Sequence, residues 1–127
     1  MGASVVRTVA QPAAGPVLTK AALRAAERMG VSNKVIARIV GLSEASVSRM
    51  GTGAYTLAPG DKAFELAVLF VRLFRSLDAI VGSDDAAAQA WLRSDNRALG
   101  GVPVDLIREP AGLVRTVDYL DAARARI

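Results

Sequence analysis

Apolar residues recur at every third or fourth position through most of this chain, a spacing typical of amphipathic helices. The first such segment runs from Thr19, a residue able to cap a helix N-terminus, to Gly30, a residue able to end one. Residues 1–18 contain glycines and prolines without any helical period, so we expect a flexible N-terminal tail there.

Two short helices are predicted next, each beginning at a serine and ending at a glycine. Ser32 and Ser43 are the expected N-caps. Gly41 is the expected end of the first helix, and the second is expected to end by Gly51 and Gly53. The apolar side chains between these boundaries fall on one face of each helix.

The sequence of residues 33–50, NKVIARIVGLSEASVSRM, places a small or apolar residue wherever two crossing helices need one. Ala37 allows the helices to approach, Gly41 permits the positive φ of a sharp corner, and Val47 fills the angle between them. This arrangement predicts a helix-turn-helix in residues 19–60, with the start of its second helix free to enter a DNA major groove.

A longer helix is predicted over about Asp61 to Val81, and it is apolar on more than one side. One stripe of six apolar side chains runs along it: Leu66, Phe70, Leu73, Phe74, Leu77 and Ile80. Phe64, Val68 and Val71 lie off that stripe and must be covered by another part of the chain or by a partner. From this second face, and from the two-fold operators that such motifs usually read, we expect a homodimer.

Three further helices are expected in the remaining chain. Ser83 is the predicted cap of a helix that stops near Ser94, Pro103 opens a short one, and the last spans about Ala111 to Arg126. The predicted fold is therefore all-α: an N-terminal helix-turn-helix bundle joined by a long central helix to a small helical C-terminal domain. We assign residues 1–18 to the tail, 19–60 to the DNA-binding region and 61–127 to dimerisation and partner binding.

The amino-acid composition excludes several classes of catalytic and metal-binding site. The chain has no Cys and no His, which excludes disulfides, thiolate nucleophiles, imidazole bases and the usual zinc ligand sets. The remaining Lys, Ser, Thr, Tyr and carboxylates form no recognisable catalytic spacing. We therefore expect neither an enzyme nor a cofactor or metal site.

Charge is unevenly distributed. Residues 1–60 hold seven basic and two acidic side chains, for a net +5, whereas residues 61–127 hold nine and ten, for a net −1. A basic half next to a neutral one is expected when one face meets nucleic acid and the other meets protein.

No signal peptide or membrane span is recognisable, so we expect a cytoplasmic protein without membrane contact.

Candidate DNA contacts follow from the helix-turn-helix geometry. Lys34, Arg38 and Ser43 suit phosphate contacts, the last together with the free amides that begin the second helix. Four residues are placed to reach base edges: Glu44, Ala45, Ser46 and Arg49. Arg49 is the leading candidate, because arginine can bind guanine through two hydrogen bonds.

The helix-turn-helix and the sequence after it resemble the Xre/MbcA/ParS family of bacterial type II antitoxins, over about residues 19–127. The most specific likeness is to the toxin-binding signature, carried here by Trp91, Leu92, Asn96, Leu99, Gly100, Gly101, Pro103, Leu106, Gly112, Val117 and Leu120. The resemblance implies two roles: neutralising a RES-type toxin that consumes NAD, or a related ADP-ribosyltransferase-like toxin, and repressing the operon. It also implies a larger toxin–antitoxin complex.

The resemblance also implies where the toxin binds. The C-terminal domain would pack against the toxin and block its active cleft, with Asp95, Asp105 and Glu109 meeting cationic groups of an NAD pocket. The candidate toxin-binding residues are Trp91, Asp95, Asn96, Leu99, Gly100, Gly101, Pro103, Asp105 and Glu109. From the residues alone, the apolar members could equally be core, and the two glycines could equally form an ordinary turn.

Two other functions fit the same pattern. One is a stand-alone transcriptional regulator that needs no toxin. The other is a helical protein-binding module that does not contact DNA, with its charge serving only solubility. A co-transcribed neighbouring gene argues against the first, and a DNA-binding assay tests the second.

Overall fold

A computed structural model describes residues 13–126, and these fold into seven helices. Numbered in chain order, they are α1 (Ala14–Met29), α2 (Asn33–Val40), α3 (Glu44–Thr52), α4 (Lys62–Ile80), α5 (Asp85–Arg93), α6 (Pro103–Leu106) and α7 (Pro110–Arg124). The predicted all-α fold is confirmed. None of these seven helices has the length and apolar character that crossing a membrane requires.

Most helix ends lie at the predicted capping residues. The Ser32 and Ser43 side chains accept backbone hydrogen bonds at the starts of α2 and α3. Gly30, Gly41 and Gly53 end α1, α2 and α3 in the left-handed conformation. Because capping depends on a few neighbouring residues, it could be predicted locally.

Helix α1 begins five residues before the expected position, at Ala14, so Thr19 is not its cap. Thr19 lies buried inside the helix, where its hydroxyl donates to the Gly15 carbonyl (2.7 Å) and accepts from the Leu57 amide (3.0 Å). Pro16 does not interrupt the helix, because the amides of a first turn have no partner within the helix. The part of the predicted tail formed by residues 1–12 lies outside the described residues.

Helix α5 is capped by Asp84 and not by Ser83. The Asp84 carboxylate accepts from the Ala87 amide at 3.1 Å. Ser83 adopts a positive φ of 63° and turns its hydroxyl toward Asp78, 3.3 Å away. The chain reversal before α5 therefore places the cap one residue later than predicted.

Helix α4 lies at the centre of the fold and contacts α1, α2, α5 and α7. Buried side chains from both halves of the chain join around it in one cluster, including Met29, Ile39, Phe70, Leu73, Leu77, Leu113 and Leu120. Burying an aliphatic or aromatic side chain of this size contributes about 1.5–3 kcal/mol relative to exposure. The second apolar face of α4 is partly covered by the same chain: Val71 is buried and Phe64 half-buried, whereas Val68 stays 44% exposed.

Polar contacts join the end of α1 to α5. The Arg93 guanidinium donates to the carbonyls of Met29 (3.2 Å) and Gly30 (2.6 Å), and the Gln89 amide donates to the Arg28 carbonyl (3.1 Å). These carbonyls belong to the last turn of a helix, which leaves them without partners inside the helix. The helix-turn-helix is thereby anchored to the C-terminal half.

Candidate nucleic-acid and toxin interfaces

The corner between α2 and α3 has the geometry of a helix-turn-helix. Gly41 adopts a φ of 75° and donates its amide to the Ala37 carbonyl. Ala37 and Val47 are both buried, with exposures of 6% and 1%. The small residue, the glycine corner and the apolar plug thus hold α3 at a fixed tilt against α2, as the sequence predicts.

The start of α3 is open to solvent. Glu44, Ala45, Ser48 and Arg49 are exposed, and Ser46 is half-buried. The chain's own core therefore leaves this face free for a partner.

Three predicted DNA contacts are linked along this face. Ser43 Oγ accepts from the Ser46 amide (3.1 Å) and donates to Ser46 Oγ (3.0 Å), and the Arg49 guanidinium donates to the same Ser46 hydroxyl (3.3 Å). These hydrogen bonds extend the arginine back toward the N-terminus of α3. The guanidinium of Arg49 is thereby held beside Ser46 in the first turn of α3, where backbone amides lack partners within the helix.

The two predicted phosphate contacts on α2 are exposed, and one of them has a protein partner. The Arg38 guanidinium lies 3.2 Å from the carboxylate of Glu109, and both side chains are mostly exposed. The sequence predicts these residues in different sites, Arg38 facing DNA and Glu109 facing a toxin. The structure brings them together where the helix-turn-helix meets the start of α7.

Two open grooves adjoin this ion pair, with volumes of about 530 and 410 Å³. Lys34 and Glu44 line the first, Lys62 lines the second, and Arg38 lines both. Arg108 also lines both grooves, although no sequence pattern indicates it as a site residue. An isolated arginine in a loop carries no pattern, so only the folded chain identifies it.

The apolar members of the predicted toxin-binding set are mostly structural. Leu99 and Pro103 are buried, and the signature residues Leu92, Val117 and Leu120 are core. Trp91 is half-buried and stacks on Tyr119, with 6.3 Å between ring centroids and 22° between planes. Tyr119 was not among the predicted site residues, because the pairing joins two helices distant in sequence.

Asn96, Gly100 and Gly101 together form a closed turn. The backbone of Asn96 exchanges hydrogen bonds with Gly101, and its side-chain oxygen accepts from the Leu99 amide at 3.1 Å. Gly100 has a φ of 82°. Arg115 of α7 donates to the Leu99 carbonyl at 2.6 Å, which fixes the turn against the last helix.

The three predicted acidic contacts are exposed but do not form one cluster. Asp105 lies 3.6 Å from Arg108, Glu109 pairs with Arg38, and Asp95 is exposed at the end of α5. Within residues 13–126 no group of three or more carboxylates is arranged to hold a metal ion.

One carboxylate has a perturbed pKa away from these surfaces. Ser76 on α4 donates a 2.6 Å hydrogen bond to Asp121 on α7, and this bond lowers the pKa of Asp121, with Arg72 adding to the effect. The interaction joins two helices of the core.

Comparison with known proteins identifies both halves of the chain. Residues 8–72 match the antitoxin Xre-like helix-turn-helix domain, and residues 76–126 match the antitoxin Xre/MbcA/ParS C-terminal toxin-binding domain. No curated protein matches the chain at a significant level.

Among solved structures, this protein resembles a chain of the crystal structure of the M. tuberculosis MbcT-MbcA toxin-antitoxin complex. The identity is 25%, the TM-score is 0.65, and the match covers 87% of this chain and 96% of that one. The two domain matches follow each other in the same order as the helix-turn-helix and the C-terminal helices described above. The chain therefore belongs to the Xre/MbcA/ParS family of antitoxins.

Proposed function

We propose that this chain is the antitoxin of a type II system, which neutralises a RES-type, NAD-consuming toxin or a related ADP-ribosyltransferase-like toxin and represses its own operon. The observation that carries this proposal is the combination, in one chain, of an open α3 face and a C-terminal domain of the toxin-binding family. Both partners would be met in the cytoplasm.

The DNA-binding role is supported by the exposure and charge of the helix-turn-helix. At the start of α3, Ser46 is half-buried and the other four predicted contacts are exposed: Ser43, Glu44, Ala45 and Arg49. In this geometry Arg49 reads a base edge, and the α3 amides with Ser43 bind a phosphate. Lys34 and Arg38 on α2 would add contacts that carry affinity but no sequence preference.

The toxin-binding role is supported by the family of the C-terminal half and by its structural neighbour, an antitoxin solved with its toxin. The exposed Asp95, Asp105 and Glu109 are the proposed polar contacts, and the partly exposed Trp91 an apolar one. Among the remaining candidates, Leu99 and Pro103 are buried and support this surface from within, whereas Asn96, Gly100 and Gly101 form the turn at the surface itself.

Dimerisation is supported by an apolar patch between α1, α4 and α7. Val17 is 63% exposed and Val68 is 44% exposed, and both line one open groove together with Leu18 and Ala21. We name these four residues the valine patch. Three arginines and one carboxylate also line the groove, and the carboxylate, Asp121, already accepts hydrogen bonds from Ser76 and Arg72. The apolar side chains therefore carry the dimer proposal, with the two copies related by a two-fold axis.

One pair of assays on the full-length chain tests the proposal. Mixed with the product of the neighbouring gene, the chain should stop NAD loss at about equimolar ratio, whereas continued loss at excess would contradict toxin neutralisation. Mixed with its own upstream DNA, it should bind more tightly than to a scrambled duplex of equal length. Binding without a toxin partner would point to a stand-alone regulator, and neutralisation without DNA binding to a protein-binding module.

A further inference from the structure

The two grooves beside α2 share two arginines in their walls, and we call this pair of grooves the basic channel. They share Arg38 and Arg108, and their other charged residues are Lys34, Lys62, Glu44 and Glu109. Four cations therefore face two carboxylates. One of those carboxylates, Glu109, is engaged by Arg38 at 3.2 Å.

This channel begins where the helix-turn-helix would meet DNA. Its first groove is bounded by Glu44, the first residue of α3, and by Lys34 near the start of α2. In helix-turn-helix complexes the second helix enters the major groove while the first crosses the phosphate backbone. A backbone strand that borders α3 would then continue along the channel.

The C-terminal half supplies the far wall of the channel through Arg108. Its Nε donates to the Val104 carbonyl at 3.4 Å, which orients the guanidinium, and Asp105 lies 3.6 Å from its terminal nitrogen. The side chain remains 39% exposed, so its charge is available to a ligand. Lys62, the first residue of α4, adds an exposed cation on the same side.

We propose that the channel binds a DNA phosphate strand, and that Arg108 and Lys62 extend the DNA interface beyond the helix-turn-helix. This inference rests on the proposed DNA-binding function. Glu109 acts as an internal competitor for Arg38: when DNA binds, phosphate replaces the carboxylate as the partner of that guanidinium. The contacts are to backbone, so they raise affinity for all duplexes alike.

The test uses the full-length chain and two duplexes, its own upstream region and a scrambled sequence, titrated between about 50 and 200 mM salt. Arg108→Ala should weaken binding to both duplexes and reduce the slope of log K against log salt by about 0.9, the loss of one phosphate contact. Arg108→Lys should retain most of the slope, because it keeps the charge.

Arg97→Ala is the matched control. It removes the same charge from the C-terminal half at an exposed position that lines neither groove, and should leave the slope unchanged. Glu109→Gln should tighten binding to both duplexes, since it removes a negative charge and releases Arg38.

Two results would overturn the inference while leaving the proposed DNA binding intact. The first is that the wild-type chain binds its operator, and that Arg108→Ala has the same slope of log K against log salt as the control Arg97→Ala. The other is an Arg108→Ala variant with an unchanged slope that captures the toxin less well, which would make the channel a site for an acidic protein surface. Failure of the wild-type chain to bind either duplex would instead contradict the proposed function itself.

Discussion

The guanidinium of Arg28 lies 2.9 Å from a carboxylate oxygen of Asp78, joining the end of α1 to the central helix α4. The same guanidinium reaches Asp85 at the start of α5, and it lies 5.0 Å from the centroid of the Phe74 ring. The two carboxylates raise the pKa of Arg28, with the hydrogen bond to Asp85 as the largest cause. One side chain thus ties the helix-turn-helix to two helices of the other half.

Arg28→Ala should lower the melting temperature, because Asp78 and Asp85 are then left facing each other without a cation. High salt should reduce the difference from wild type, since the pair is partly exposed and screening weakens it. Thermal unfolding followed by circular dichroism at low and high salt measures both effects. Arg24→Ala, at an exposed position of the same helix, is the control. Equal melting temperatures for the two variants would contradict the anchoring role of Arg28.

Gly112→Ala should destabilise the fold by about 3 kcal/mol, the upper part of the range for overpacking a core. A Cβ at this position would lie 2.0 Å from the Leu106 carbonyl oxygen, and backbone cannot move aside cheaply. Gly51→Ala in α3 is a matched control: a Cβ there meets no atom within 4 Å, and alanine should stabilise the helix by about 0.5–1 kcal/mol. Urea unfolding of both variants gives the comparison, and a neutral Gly112→Ala would show that α6 and α7 are not in close contact.

Ser76→Ala should lower the free energy of unfolding by about 1 kcal/mol, because it removes the buried donor to Asp121. The pKa of Asp121 is lowered by folding, so its stabilisation is fully present above the unfolded pKa, about 4, and is lost as the pH falls through the lower folded value. Asp121→Asn should therefore be less stable at pH about 7 and lose less stability on acidification below pH about 4. Asp118→Asn, on the exposed side of α7, should retain the wild-type profile; an identical profile for Asp121→Asn would contradict the assignment.

Arg49→Ala should reduce binding to the operator by about 1–3 kcal/mol while changing binding to a scrambled duplex less, as expected for a residue that reads a base. Lys34→Ala should weaken both duplexes equally and reduce the salt dependence by about one phosphate contact. Fluorescence anisotropy across a salt series distinguishes the two patterns. If Arg49→Ala weakens binding to both duplexes equally, as expected for Lys34→Ala, then Arg49 contacts the DNA phosphate backbone and not a base.

Val68→Lys should convert the proposed dimer to a monomer of 13.2 kDa, since a charge at the centre of the valine patch would be desolvated in the interface. Val114→Lys is the control, because Val114 is exposed to a similar extent, 42%, but does not line that groove. Sedimentation at micromolar concentration measures the oligomeric state of the wild-type chain and of both variants. A wild-type chain that is already monomeric would contradict the proposed dimer.

How much of this fold could be predicted from sequence depended on the range of the interactions involved. Caps such as Ser32 and Ser43 act within one turn, so their pattern is visible in a few residues. The prediction of Thr19 as a cap is wrong because its decisive partner, the Leu57 amide, is 38 residues away and does not show in the local pattern. Residue type indicates which positions could cap a helix, but burial in the folded chain determines whether a given residue does so.

The candidate sites divide in the same way. The exposure of α3 followed from the spacing of Ala37, Gly41 and Val47, all close in sequence. The Arg38–Glu109 pair spans 71 residues and joins side chains that sequence reasoning assigned to separate partners. The basic channel therefore became visible only when the chain was folded.

The central position of α4 has a consequence for the lifetime of the protein. Because α1, α2, α5 and α7 all pack on this one helix, the two halves should open together and not one at a time. A ligand that binds only the folded form lowers the population of the opened chain, and proteolysis often acts on that population. Occupancy of either interface should therefore protect the whole polypeptide from degradation, including the half that the ligand does not touch.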